Sequence, residues 1–328
     1  MCRRAWSCAL FFLLAIANQS AHAANLNVNC DNQQTIREAL HLLAATNPQG
    51  PNTITVLGSC KENVVIQSMD RLTLITKKGA SITDRSKAAL PVIDIEDSRS
   101  VSVQGFTTNG GTTGILCSDF SICRFSGNTV QNVVYGIGMD GQGVVIVRSN
   151  ATFDHDVIQD NADNGLAVIN GSTVISDGLT VQRNGVDGIF VAFQSMVVVR
   201  TATVQANSGD GIFGNQNSTF NVASSLVTGN GGNGVSLAQA STAQFSVPLG
   251  PNNVMNNALS GVLLGDLSSV LFVPGNSVVG NNTGSGGMGN DVTCDPQFSA
   301  TRGAITNIGG GTTNCVEPTR YAQRGAAN

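Results

Sequence analysis

A histidine with a carboxylate on either side stands at Asp154-His155-Asp156. An imidazole in that setting suits general acid–base work, because a neighbouring anion favours its protonated form. Upstream, Tyr135 and Asp140 add a phenol and another carboxylate. Tyr135, Asp140 and His155 are therefore the candidate catalytic set, with Tyr135 and His155 as base and acid; the competing reading is a solvated polar loop. Asp187 and Asp210 form a second candidate. Stacked one repeat apart they would lie about 5 Å from each other, close enough to share a proton or hold Ca2+. Asn164 and Asn233 would flank them, although an Asp-Gly step also simply suits a tight turn. A third set would bind a ligand: Phe190 and Phe213, with the amides of Gln194, Asn215 and Gln216 nearby. Aromatic faces beside amides suit a sugar chain. An outward apolar strip equally suits a protein contact, self-association included.

A repeat must position these groups. Asn161, Asn184, Asn207 and Asn230 recur every 23 residues or so, and Asn257 and Asn281 continue the series. A branched apolar residue precedes each Asn by three positions, as at Ile158, Val181 and Val204, and Gly165, Gly188, Gly211, Gly234 and Gly261 follow the first five. Ser172, Ser195, Ser218, Ser241 and Ser268 form a further column. Each repeat reads as three short alternating pieces, Gly-Φ-x-Φ, Ser-x-Φ-x-Φ and Φ-x-x-Asn, and an alternation of two means β-strand. Strands this short bury a core only by stacking on the next coil in parallel. The fold expected is all-β: a single-stranded right-handed parallel β-helix of about ten coils, roughly 45–50 Å long at strand spacing. Within it, Asn would form a buried ladder, and Gly would take positive φ at the turns. Alternation points Ala167, Phe190, Phe213, Ser236 and Leu263 away from the core. The coil carrying Tyr135 and His155 is longer than the standard repeat, and insertions become loops where function gathers.

Composition narrows the partners. The chain carries Lys+Arg 17 against Asp+Glu 21, a net charge of −4. No Lys follows Lys87, and between residues 100 and 300 the only Arg are Arg124, Arg148, Arg183 and Arg200. A basic stripe for nucleic acid or anionic membrane is absent. Met1–Ala23 reads as a signal peptide, with Arg3-Arg4, a short apolar run and Ala21-His22-Ala23 for cleavage. No later segment approaches the about 20 apolar residues that span a bilayer. The expected location is secreted, periplasmic or extracellular. Disulfides fit that location, and pairing sequence neighbours gives Cys30–Cys60, Cys117–Cys123 and Cys294–Cys315. Residues 24–50 would form an N-terminal cap, with a helix over Thr35–Ala45 opened by a Thr35/Glu38 capping box. Residues 51–290 would form the β-helix, and 291–328 a C-terminal cap loop and tail, loose from Arg320 onward.

From the cap helix, TITVLGSCKENVVI at 53–66 and the NGL, DGI and NGV coil starts, residues 30 to 290 resemble the pectin-lyase-like right-handed β-helix superfamily, and secreted right-handed β-helix repeat proteins within it. The resemblance implies the fold and leaves the activity open among lyases, hydrolases, epimerases, viral spikes and non-enzymes. The Gly-His-Gly and Arg-Ile-Lys of related polygalacturonases have no counterpart here. Epimerase-like members carry Tyr-Gly-Phe-Asp-Pro-His. Tyr135-Gly136-Ile137-Gly138-Met139-Asp140 begins similarly and then departs, with no Pro-His after the Asp. The expected function is binding of a polysaccharide or cell-surface glycan, with lyase or epimerase chemistry ahead of hydrolysis. The alternative is a non-catalytic structural or adhesive solenoid. No cofactor is required; Ca2+ at the Asp pair is the one ion admitted.

Overall fold

The structure, a computed structural model, describes residues 23–136, 140–285, 289–294, 300–302 and 307–316. Nearly all of the expected signal segment, residues 137–139 and 286–288, parts of the expected C-terminal cap loop and the tail after residue 316 lie outside the described residues.

The short alternating pieces form three parallel sheets, one 12-stranded (sheet A) and two 10-stranded (sheets B and C). Each coil visits them in turn: Leu166–Ile169 in sheet C, Thr173–Asp177 in sheet A, Thr180–Gln182 in sheet B, then Ile189–Val191 in sheet C again. Successive coils are in register, with Leu166 opposite Ile189, Val174 opposite Val197 and Val181 opposite Val204. These inward residues are buried and form one continuous core. The phenylalanines stack along it, Phe245 on Phe272 with ring centroids 4.8 Å apart. That distance is the strand spacing itself.

The Asn column is a ladder. Asn184 Nδ2 donates to Asn207 Oδ1 at 2.9 Å, and Asn207 Nδ2 to Asn230 Oδ1 at 3.0 Å. From Asn184 onward each side-chain oxygen also accepts the backbone N–H of the Asn one coil before, as Asn207 does from Asn184 at 3.1 Å. The run ends on Asp291 Oδ1, which accepts Asn281 Nδ2 at 2.9 Å. Ser hydroxyls do the same at another corner, where Ser195 Oγ accepts the N–H of Ser172 at 3.2 Å.

The glycines differ from expectation. Gly165, Gly188, Gly211 and Gly234 are not among the positive-φ glycines. Their role is close approach: a Cβ on Gly188 would lie 2.6 Å from the carbonyl oxygen of Gly211 and 2.7 Å from Asn207 Nδ2. The column lets neighbouring coils meet beside the Asn ladder, where no side chain fits. Left-handed conformations fall at the short corners between sheets, on non-glycine residues and on other glycines such as Gly171 and Gly178.

The first coil is covered by helix α1 (Ile36–Thr46), which buries Ile36, Leu40 and Leu43. Thr35 Oγ1 accepts the N–H of Glu38, and Glu62 from the coil below accepts the N–H of Ile36 at 2.9 Å and of Arg37 at 3.1 Å. A carboxylate there matches the helix dipole and the unpaired first-turn amides. Disulfides join Cys30 to Cys60, Cys117 to Cys123 and Cys294 to Cys315. At the far end Val278 donates to the carbonyl of Ile308 at 3.0 Å, and Ile308 is buried.

Candidate functional site

The outer face of sheet A carries a groove of about 600 Å3. It follows from strand alternation: in Ile122–Ser126 the residues Cys123 and Phe125 point inward, so Arg124 points out. Ser102 and Thr152 lie beside Arg124 in the neighbouring coils, and Gln104, Ser126 and Asp154 form the next outward column. Arg124 and Asp154 are diagonal neighbours, about 8 Å apart at Cα from strand spacing and rise. Arg71 also lines the groove, but it pairs with Asp70 at 3.4 Å and donates to the carbonyl of Gly50. Arg124 is exposed and has no hydrogen bond or ion pair among the described residues. It is the free cation of the groove.

Asp154 closes one end of the groove and holds His155. Its Oδ1 lies 2.7 Å from His155 Nδ1, and its Oδ2 accepts the Ser126 hydroxyl at 3.2 Å. Those two hydrogen bonds, that of His155 first, hold the Asp154 carboxyl below its usual range. With Nδ1–H donated to the carboxylate, Nε2 carries the lone pair of the neutral ring. The exposed ring lies on Gly178 of the next coil, where a Cβ would come within 2.7 Å of it. A larger residue at 178 would displace the imidazole.

The structure does not bring Tyr135, Asp140 and His155 together. His155 sits in the short corner between sheets A and B, before Val157–Gln159, while Tyr135 and Asp140 lie beyond the opposite end of the sheet B strands, before Gln142–Val147. The Tyr135 ring covers Gly141, next to Asp163. The coil's extra residues fall between Gln131 and Gln142, at Tyr135. From Asn150 to Val157 the chain matches Thr173 to Thr180 step for step, so His155 is in a standard corner and not in an insertion. Asp156, its other neighbour, is buried: it accepts from Asn128 N and Nδ2, both at 2.8 Å, and from Asp154 N at 3.0 Å. Asp156 is a ladder residue.

Asp187 and Asp210 do stack between sheets B and C. Asp187 Oδ1 accepts the N–H of Asp210 at 2.7 Å, Asp210 Oδ1 accepts Asn233 Nδ2 at 3.0 Å, and Asn164 Oδ1 accepts the N–H of Asp187 at 3.0 Å. Each carboxylate thus has one oxygen committed to the next coil, and Asp210 also takes a hydrogen bond from Ser236. The described residues gather three potential ligand atoms only at Cys30, Cys60 and Glu62. There the sulfurs are in a disulfide and the carboxylate caps α1, so that cluster is not a metal centre.

Phe190 and Phe213 face outward from sheet C, but they are half-buried and pack on each other at 5.8 Å. Ala167 and Ser236, expected to be exposed in the same column, are buried. Gln194 and Gln216 lie round the corner toward sheet A, where they line a second pocket with Phe193, while the Asn215 side-chain oxygen is buried without a partner. Sequence reasoning missed Arg124, Ser102, Gln104 and Thr152. The signal was present: Ile122-Cys123-Arg124-Phe125 alternates, and Arg is rare in the coils.

Several buried acids bear on pH. Burial pushes Asp187 and Asp156 each up to about 6, and burial followed by the charge of Glu96 pushes Asp94 up to about 7. Such acids take up protons earlier in the folded chain than at the unfolded value of 3.8, so folding gains as pH falls from about 7 toward about 4. Asp84 and Asp291, held low by hydrogen bonds despite a desolvation cost, act oppositely, and their contribution is lost below about pH 4. The midpoint temperature in thermal melts should therefore be higher at about pH 5 than at about pH 8. A midpoint that rises from pH 5 to pH 8 would contradict these assignments.

Among the described residues no helix is long and apolar enough to cross a membrane. Residues 91–247 match the family model described as right handed beta helix region. No curated protein matches the chain in sequence. Among solved structures, the A-module of a mannuronan C-5 epimerase from Azotobacter vinelandii is similar, with TM-score 0.54, 13% identity, and 81% of this chain and 88% of that one covered. A pectate lyase gives TM-score 0.52, 13% identity, and 79% and 78% coverage. A tailspike protein from an Escherichia coli bacteriophage gives TM-score 0.57 and 15% identity over 81% of this chain and 41% of that one. At such identities the likeness establishes architecture, and the structures sharing it include carbohydrate-active enzymes. The chain has the right-handed parallel β-helix fold of the pectin-lyase-like kind.

Proposed function

We propose that this protein is an exported carbohydrate-binding β-helix that acts as a lyase or epimerase on an acidic polysaccharide laid along the outer face of sheet A. One observation carries the reading: the unpaired Arg124 shares a groove with Asp154, whose carboxylate orients His155. Lyases and epimerases of uronic acids begin alike, with removal of the proton α to the sugar carboxylate. A cation that neutralises that carboxylate makes the α-proton removable, and a base with a free lone pair removes it. Arg124 would take the first role and His155 Nε2 the second, with Asp154 as positioning residue. The C–H electron pair moves into the carboxylate system. Return of a proton from the opposite face gives the epimer; expulsion of the neighbouring glycosidic oxygen, protonated as it leaves, gives an unsaturated sugar. Thr73, Ser102, Gln104 and Thr152 supply hydroxyl and amide partners for the chain. Ca2+, if held by Asp187 and Asp210, would act on stability, since that corner is separate from the groove.

The test is incubation of the mature protein in D2O with alginate, polygalacturonate and other uronate polymers, with Ca2+ or EDTA. Deuterium at the α-carbon of the uronate reports the shared first step, and absorbance of unsaturated product separates lyase from epimerase. No exchange and no retardation in gels containing any of these polymers would overturn the proposal. The alternative solenoid, working through protein contacts, would then stand; exposed Phe120 and Leu267 at the corner between sheets C and A favour it.

A further inference from the structure

The corner between sheets C and A holds a second pocket, of about 410 Å3, lined by Asn170, Gly171, Phe193, Gln194, Gln216 and Asn217. Three coils stack to form it: Gly171 donates to the carbonyl of Phe193 at 2.9 Å, and Gln194 to that of Gln216 at 3.0 Å. The corner imposes left-handed backbone on consecutive residues, with φ of 56° at Phe193, 62° at Gln194, 54° at Gln216 and 61° at Asn217. Glycine meets that demand without strain, and a bulky aromatic meets it poorly. Only Gly171 follows the inexpensive choice.

What the costlier residues provide is a surface. The Phe193 side chain is 48% exposed. The carboxamides of Asn170, Gln194, Gln216 and Asn217 have no hydrogen-bond partner among the described residues. Each offers two N–H donors and a carbonyl acceptor, while an aromatic face offers an apolar platform. The charged residues of this column lie outside the pocket. Arg148 and Asp119 flank it on one side and are paired with each other, and Asp266 lies on the other side, beyond Gln239 and Ala240. The size is within the usual range for a small-ligand site.

From this juxtaposition we infer that the C–A corner is a second glycan site, selective for uncharged sugars, with a pyranose ring stacked on Phe193 and its hydroxyls held by the surrounding carboxamides. A uronate would find no cation there. Only the expectation of a glycan ligand is shared with the proposed function; the site requires nothing of Arg124 or His155.

The probes are neutral: cellohexaose, mannohexaose and chitohexaose by titration, with hydroxyethyl cellulose and galactomannan in affinity gels. At least one should bind the wild-type protein. Phe193→Ala should weaken that binding at least tenfold, Gln216→Ala several-fold, and Phe193→Tyr should retain it. Circular dichroism of each variant reports folding. Binding of no neutral probe, or equal binding by Phe193→Ala, overturns the inference. So does a Phe193→Ala variant that changes only the sedimentation coefficient, since the strip would then join copies of the chain. Because the probes have no carboxylate, their result is independent of the uronate assays, and either proposal can fail alone.

Discussion

His155→Ala should lower turnover of the responsive uronate polymer by about 100- to 10,000-fold, the range over which a positioned general base contributes. The loss should fall on kcat, because the imidazole would meet the substrate at the α-proton and not along the sugar chain. Asp154→Asn should give a smaller loss and alter the pH profile. The amide preserves the reach to His155 but removes the charge that favours Nδ1–H and stabilises the ring once it has accepted a proton. Arg124→Ala should raise KM and lower kcat together, since the same cation would bind the carboxylate and stabilise the charge that develops on it. Steady-state kinetics with each variant, checked against unchanged circular dichroism, decides the matter. Wild-type turnover in His155→Ala would place the base elsewhere. The Tyr135 corner would then be examined first, although the sheet B strands separate it from the groove.

The second large effect concerns stability. Asn207→Ala removes the acceptor for Asn184 N and Nδ2, at 3.1 and 2.9 Å, and the donor to the carbonyl of Val181 at 3.3 Å. All of these groups are buried, where an unsatisfied polar group costs about 1–3 kcal/mol. The expected loss is about 3–5 kcal/mol, allowing for the partners that Asn184 Nδ2 keeps. Asn207→Asp should be at least as damaging at neutral pH, because it buries a charge and turns a donor toward Asn230 Oδ1 into an acceptor. Unlike the alanine variant it should partly recover under mild acid. Urea titrations at two pH values measure both. A loss under about 1 kcal/mol for the alanine variant would mean that water replaces the amide and the ladder matters little.

Residue types spaced about one coil apart were legible without coordinates. Val181 and Val204 recur in register, and a parallel stack sets each beside its equivalent, so linear period becomes spatial contact. The Asn and Ser ladders and the stacked Asp187 and Asp210 follow from that, while the cap helix is legible from its own Thr35/Glu38 capping box. The glycine column serves close approach and not the positive φ expected of it. Gly188 and Gly211 are required by proximity of the next coil, which a single repeat read alone does not contain. The extra residues of the long coil, expected around His155, are set at Tyr135 by the pairing of Asn150–Asp154 with Thr173–Asp177. A count of residues gives a coil's length and not which of its three corners absorbs the excess.

The candidate site marks the boundary between the two kinds of information. By itself the sequence determined the coil, its inward face and its ladders, because burial and amide satisfaction repeat with the period and leave columns of one residue type. Only the tertiary structure decided which outward residues meet. Arg124 belongs to one coil and Thr152 and Asp154 to the next, and they obey no column rule, since solvent-facing positions are not constrained by the core. Their meeting depends on register across sheet A, which also sets the Asp154 carboxylate, with the His155 imidazole 2.7 Å from it, on the face bearing Arg124.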